Sequence, residues 1–264
     1  MKRRFSTSVS MMFREFALSE RFAQAKAAGF EGVEIQFLAE GDPSEMAAAA
    51  EAAGIGVCLV NVGMGDYMAG GAGLSGLPGR EALFRGELAS ALDAAEAMGA
   101  RFVHLGPSRV PAGADRAACL DTYRRNIDHA VAAAAQRGST ARLLIEPMNR
   151  VDAPDALIND IDDSAALIRA AYAGVIGLQF DIYHVAMNGH DPVEAYARHR
   201  DIAAHIQFSD VPGRQPPGDG TLDFAAIFAG IEAHGYDGLF GAEYMPRRPT
   251  LETLGWMPRL ARRG

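Results

Sequence analysis

Arg142-Leu143-Leu144-Ile145-Glu146-Pro147-Met148-Asn149 runs from a short apolar segment straight into a carboxylate followed by proline. The apolar run is too short for a helix, and leucine and isoleucine suit a buried parallel strand. Proline has no N–H to give a sheet ladder, so the strand must stop at or just after Glu146. The acid then stands at the carboxyl end of a strand, with Asn149 on the loop beyond it. The same arrangement recurs in Leu178-Gln179-Phe180-Asp181 and in Leu239-Phe240-Gly241-Ala242-Glu243. Ala204-His205-Ile206-Gln207-Phe208-Ser209-Asp210 carries a glutamine and an aspartate at the corresponding place. One such acid would be an ordinary solvent-facing residue; several at strand ends form a site if the strands share one rim.

The rest of the chain supplies the other strands and their helices. Phe5 to Val9 alternates as a first strand, and Leu18 to Ala28 follows as a helix closed by Gly29. Gly32 to Ile35, Gly56 to Asn61 and Phe102 to Leu105 read as strands two to four. Between and after them, helices are expected over Pro43 to Ala53, Arg80 to Met98 and Arg116 to Arg137. Helices over Ser164 to Ala173, Pro192 to His199 and Asp223 to His234 follow the later strands, and Leu251 to Leu260 forms a last helix. Eight strand–helix alternations without a composition break predict an α/β fold, a single (β/α)8 TIM barrel domain over residues 1–264, in preference to an open doubly wound sheet. Neither a GxGxxG after the first strand nor a P-loop is present, which removes the usual nucleotide-binding signals.

With 264 residues and 49% hydrophobic content, the chain can fill one such barrel. Its formal net charge of -8 argues against nucleic acid or an anionic membrane surface as partner. Cys58 and Cys119 have no metal or redox spacing and read as reduced core residues. The basic start Met1-Lys2-Arg3-Arg4 is followed by polar alternation rather than an apolar signal segment, and no run suits a transmembrane helix. A cytoplasmic enzyme acting on a small molecule fits these features; a homo-oligomer is left open.

Glu146, Asp181, Gln207 and Glu243 offer four oxygen donors from four strand ends. Three carboxylates together would repel, and a divalent cation removes that problem. An all-oxygen set favours Mg2+ or Mn2+ over zinc. His184, Asn149, Asp210 and the cations Arg214 and Arg80 are the candidate substrate contacts. Residues 62–78, dense in glycine and without periodicity, are expected to form a mobile lid.

Ile145-Glu146-Pro147-Met148-Asn149, Phe180-Asp181-Ile182-Tyr183-His184, His205-Ile206-Gln207 with Asp210 and Arg214, and Ala242-Glu243-Tyr244 together resemble the hydroxypyruvate isomerase family of xylose-isomerase-like TIM barrels. The resemblance extends over nearly the whole chain. It implies that Glu146, Asp181, Gln207 and Glu243 bind one divalent metal ion and that Glu146 and Glu243 move the protons. The implied reaction interconverts hydroxypyruvate and tartronate semialdehyde through an enediolate. A 2-oxo-tetronate isomerase or a ketose 3-epimerase would use the same chemistry; a non-catalytic metal- or sugar-binding barrel is the alternative of another class. Gln207 stands where the epimerases generally have histidine. The seven histidines are too few for the three-zinc site of the related endonuclease IV.

Overall fold

The computed structural model describes residues 2–262. Strands β1 (Phe5–Ser8), β2 (Gly32–Ile35), β3 (Gly56–Asn61), β4 (Phe102–His104), β5 (Arg142–Ile145), β6 (Ile176–Asp181), β7 (Ala203–Phe208) and β8 (Phe240–Ala242) are all parallel and close into a barrel in sequence order. Closure is made by β1 against β8, with Phe5 opposite Phe240 and Thr7 opposite Ala242. The helices between strands are α1 (Leu18–Ala27), α2 (Pro43–Ala53), α3 (Glu81–Met98), α4 (Arg116–Arg137), α5 (Ile161–Ala171), α6 (Ile182–Met187), α7 (Pro192–His199) and α8 (Phe224–Ala233). α2 starts on an Asp42 cap with proline in its first turn and ends on Gly54 at φ 61°, the left-handed conformation that glycine adopts without a Cβ clash.

Two elements differ from the sequence expectation. α6 was not foreseen, because it begins on the residue after β6 with no linker: Asp181 is both the last strand residue and the helix cap, accepting from Tyr183 N–H at 2.9 Å. The expected last helix is a 3-10 segment, Thr250–Trp256, followed by a single turn, α9 (Met257–Leu260). This segment packs Trp256 edge-on against Phe5, with ring centroids 5.0 Å apart, and against Phe208 at 5.4 Å. Aromatic edge-to-face contacts of this kind contribute ~0.5–1.5 kcal/mol beyond area burial. They seal the outside of the barrel where its first and last strands meet.

Alternation along the strands separates the outward apolar set from an inward polar one. Phe180, Ile206 and Phe208 are buried in the apolar core, whereas Gln179, Asp181, His205 and Gln207 belong to a buried polar set in the barrel lumen. No helix among the described residues is long and apolar enough to cross a membrane.

Candidate active site

The lumen is a column of bonded polar side chains that rises from mid-barrel to the carboxyl rim. Glu34, inside β2, accepts from Ser6 Oγ at 2.7 Å and Gln207 Nε2 at 2.7 Å, and lies 2.9 Å from His205 Nε2. Burial opposes its ionisation, but His205 and the bonds from Ser6 and Gln207 outweigh it and hold Glu34 below the usual carboxylate range. Gln207 Oε1 in turn accepts from Gln179 Nε2 at 2.6 Å, and the same Nε2 donates to Glu146 Oε2 at 2.9 Å. Glu146 is therefore aimed by a relay running through three other strands.

At the rim, Asp181 from β6 and Glu243, just past β8, join Glu146, and all three are buried. Arg214 lies between them. Its Nη1 donates to Glu243 Oε2 at 2.6 Å and its Nη2 to Asp181 Oδ2 at 3.1 Å. Desolvation is the main reason Glu146 is lifted well above the ordinary carboxylate range, with Asp181 and Glu243 adding to it. Desolvation likewise pushes Glu243 up to about 7, against the opposing pull of Arg214. Asp181 is raised for the same first reason. Three buried acids thus share one guanidinium, and the site is short of positive charge.

The residues fit a divalent ion. Glu146, Asp181 and His184 each bring one potential ligand atom within 4.8 Å of the others. Among the described residues, Glu146 Oε1 is buried without a hydrogen-bond partner, as are Asn61 Oδ1, His104 Nδ1 and Gln179 Oε1. Asn61, His104 and Glu146 also line the cavity above the carboxylates, where a bound ligand can supply partners. His184 is suited to a different part. Its Nδ1 faces the backbone N–H of Asn149 at 3.0 Å and the Asn149 amide nitrogen at 2.8 Å, so it must accept. Burial, then Arg214 and His104, keep the ring neutral, and its hydrogen therefore sits on Nε2, facing the carboxylates as a donor. Arg214 Nη2 approaches that nitrogen at 2.6 Å. Two donors are set against each other there, a contact that a shared oxygen acceptor would relax.

The loop after β7 is built to hold Arg214 in place. Asp210 is fully buried and accepts from four backbone N–H groups, those of Val211, Gly218, Gly220 and Leu222, at 2.9–3.1 Å. Arg214 itself has φ 51°, a left-handed conformation that costs a non-glycine residue about 1–3 kcal/mol and that recurs at functional positions. Its carbonyl oxygen is tied to Met245 N–H at 2.8 Å.

A cavity of about 300 Å³ opens above the carboxylates, with Tyr67, His104, Arg109, Glu146, Arg214 and Glu243 in its wall. The glycine-rich stretch over residues 62–78 forms one side of it and is folded down. Arg109 donates to the carbonyls of Tyr67 and Gly71 at 2.8 and 3.1 Å and stacks 4.0 Å over the Tyr67 ring. Ser75 Oγ and the Gly76 N–H are bonded to Gly106 and Ser108. The exposed Met68 lies at the mouth.

Residues 22–260 match the pattern of the xylose isomerase-like TIM barrel family. The chain belongs to that family. It is 42% identical to the 2-oxo-tetronate isomerase of Cupriavidus necator, over 96% of this chain and 97% of that one. To the hydroxypyruvate isomerase of Escherichia coli it is 32% identical, over 96% and 98%. Among solved structures, the protein titled AP endonuclease, family 2, from Brucella melitensis superposes with a TM-score of 0.90 at 31% identity, covering 98% of this chain and all of that one. These relatives make the chain an enzyme of isomerase type within the family.

Of the residues singled out in the sequence, the structure brings Glu146, Asp181, Glu243, His184 and Arg214 to one centre. Asn149 stands behind His184, with its side-chain oxygen accepting from Val151 and Asp152 N–H. Gln207 is wholly buried, with both ends of its amide engaged by Glu34 and Gln179 below the cavity. Two expectations need correction. Asp210 faces its own loop backbone, so it organises the loop and does not meet substrate. Arg80 caps the start of α3, where it is exposed to solvent and absent from the cavity wall. The residues missed were Glu34, Asn61, His104, Gln179 and Arg109. Asn61 and His104 end β3 and β4 as the acids end theirs, and the strand-end criterion applied evenly would have found them. Nothing in the sequence around Arg109 marked it.

Proposed function

We propose that the enzyme moves the carbonyl of a short 2-oxo-3-hydroxy acid between C2 and C3, with hydroxypyruvate to tartronate semialdehyde as the reaction. The observation that carries this reading is the pair of buried acids, Glu146 and Glu243, set three strands apart around one cavity with Arg214 beside them. One of the pair removes the proton from C3 and the other delivers a proton to C2 of the resulting enediolate, while the O3 hydroxyl proton passes to O2; composition is unchanged. Glu146, Asp181 and Glu243 would hold a magnesium or manganese ion, with the second lone pair of Gln207 Oε1 as the fourth oxygen. When bound, the ion supplies Lewis-acid polarisation of the carbonyl. The Nε2–H of His184 donates to a substrate oxygen, and Arg214 reads the carboxylate.

A second reading, a 2-oxo-tetronate substrate, is favoured by the 42% identity to the Cupriavidus relative and by a cavity larger than a three-carbon acid fills. It adds one CH2OH at C3 and leaves the chemistry intact. A panel of hydroxypyruvate, 2-oxo-tetronate and neutral ketoses, scored by product analysis, separates the readings. In the same panel, Arg214→Met should lower kcat/KM for the acids by ~1.5–3 kcal/mol, the scale of one hydrogen bond to a charged group. Residual turnover of a neutral ketose should fall much less. Equal losses would show that Arg214 only holds Glu243 and Asp181 in place, and a wild type that prefers neutral ketoses would make the enzyme an epimerase.

A further inference from the structure

A second cavity lies at the opposite end of the barrel, where the strands begin, and shares no wall residue with the first. It measures about 660 Å³ and is framed by the segments that lead into β4, β5, β7 and β8. Arg101, Arg142 and Arg200 converge on it, with Asp237 as the acidic residue in its wall. None of the three arginines has a carboxylate within ion-pair distance among the described residues. Arg142 is the informative one. It occupies the first position of β5, and with the two-residue period its side chain points into the same lumen as Glu146. Its Nη2 donates to the Ile176 carbonyl at 3.3 Å, and its Nε is buried with no partner at all. The chain makes room for it: a Cβ on Gly177, on the adjacent strand, would come within 3.0 Å of that Nε. Arg101 lies over the ring of Phe102, 5.6 Å from its centroid, and Phe102 forms the roof of the cavity by stacking on His205 at 5.2 Å. Arg200 spends one nitrogen on the Ala197 carbonyl and keeps the rest.

Planar guanidinium groups recognise phosphate through paired N–H donors, and arginines held without a carboxylate partner are suited to an anion from solution. Three of them around one space call for a ligand that carries more than one negative charge. The aromatic faces of Phe102 and Tyr196 in the same wall, and a volume well beyond that of a bare oxyanion, call for an organic group attached to it. We propose that this cavity binds a small organic phosphate, with Arg142 as its inner contact and Arg101 and Arg200 at its mouth.

Phenyl phosphate is the probe, titrated calorimetrically into the full-length protein at ionic strength held constant with sodium chloride. The expected result is saturable binding of one molecule per chain, weakened at least tenfold by Arg142→Met and by Arg101→Ala, and unchanged by Arg214→Met in the other cavity. Arg101 is exposed, so its variant keeps the test open should Arg142→Met fail to fold. Absence of saturable binding would overturn the proposal. So would equal affinity in wild type, Arg142→Met and Arg101→Ala, or a loss confined to Arg214→Met.

Discussion

Glu146→Gln and Glu243→Gln should each lower kcat by at least ~10²-fold, the usual loss when a positioned acid or base is removed. The substitution is chosen to spare everything else. A glutamine at 243 keeps an oxygen for Arg214 Nη1, and a glutamine at 146 keeps one for Gln179 Nε2, so the surrounding bonds seen at 2.6 and 2.9 Å can persist. Removing a buried acid from a cluster of three also relieves repulsion, and neither variant should be less stable than wild type. The expected signature is therefore a folded protein with an unchanged melting temperature and lost turnover, measured with hydroxypyruvate and with 2-oxo-tetronate. A Glu243→Gln variant that retains activity would remove that residue from the proton transfer.

The second large effect concerns the ion. Asp181→Asn should weaken divalent-metal binding by at least ~10²-fold, since loss of even an outer partner typically costs 10–100-fold. Asparagine remains a good helix cap and can still accept from Tyr183 N–H, so α6 should be retained. Titration with Mn2+ after chelator treatment, read calorimetrically and by metal analysis, gives the comparison. Equal, substantial metal uptake by wild type and variant would place the ion elsewhere, and negligible uptake by both would remove it from the account.

Much of the barrel was legible because its two periods are strong. Apolar runs that stop at an acid or asparagine marked β3 and β6, and helices that stop at glycine marked α2 and α4, at the boundaries the structure shows. α6 was hidden because Asp181 serves strand and helix at once. The rim acids could be read from their place at strand ends. The column beneath them could not, for Glu34 sits inside the four-residue β2, and only barrel closure brings it to Gln207 and His205 across β1 and β8. Arg214 was found as a loop arginine, but its position between Asp181 and Glu243 depends on a left-handed backbone and on the buried Asp210 anchor, neither of which a local pattern reveals. The folded state of the glycine-rich loop has the same origin, because its tether, Arg109, lies outside the loop.

The most direct test of the account is conversion of hydroxypyruvate in D2O by metal-reconstituted wild type, with the product resolved by NMR. Proton transfer through Glu146 and Glu243 predicts tartronate semialdehyde carrying solvent deuterium at C2. A product formed without deuterium would mean that the hydrogen taken from C3 is the one returned to C2, and transfer by two separate glutamates would be wrong.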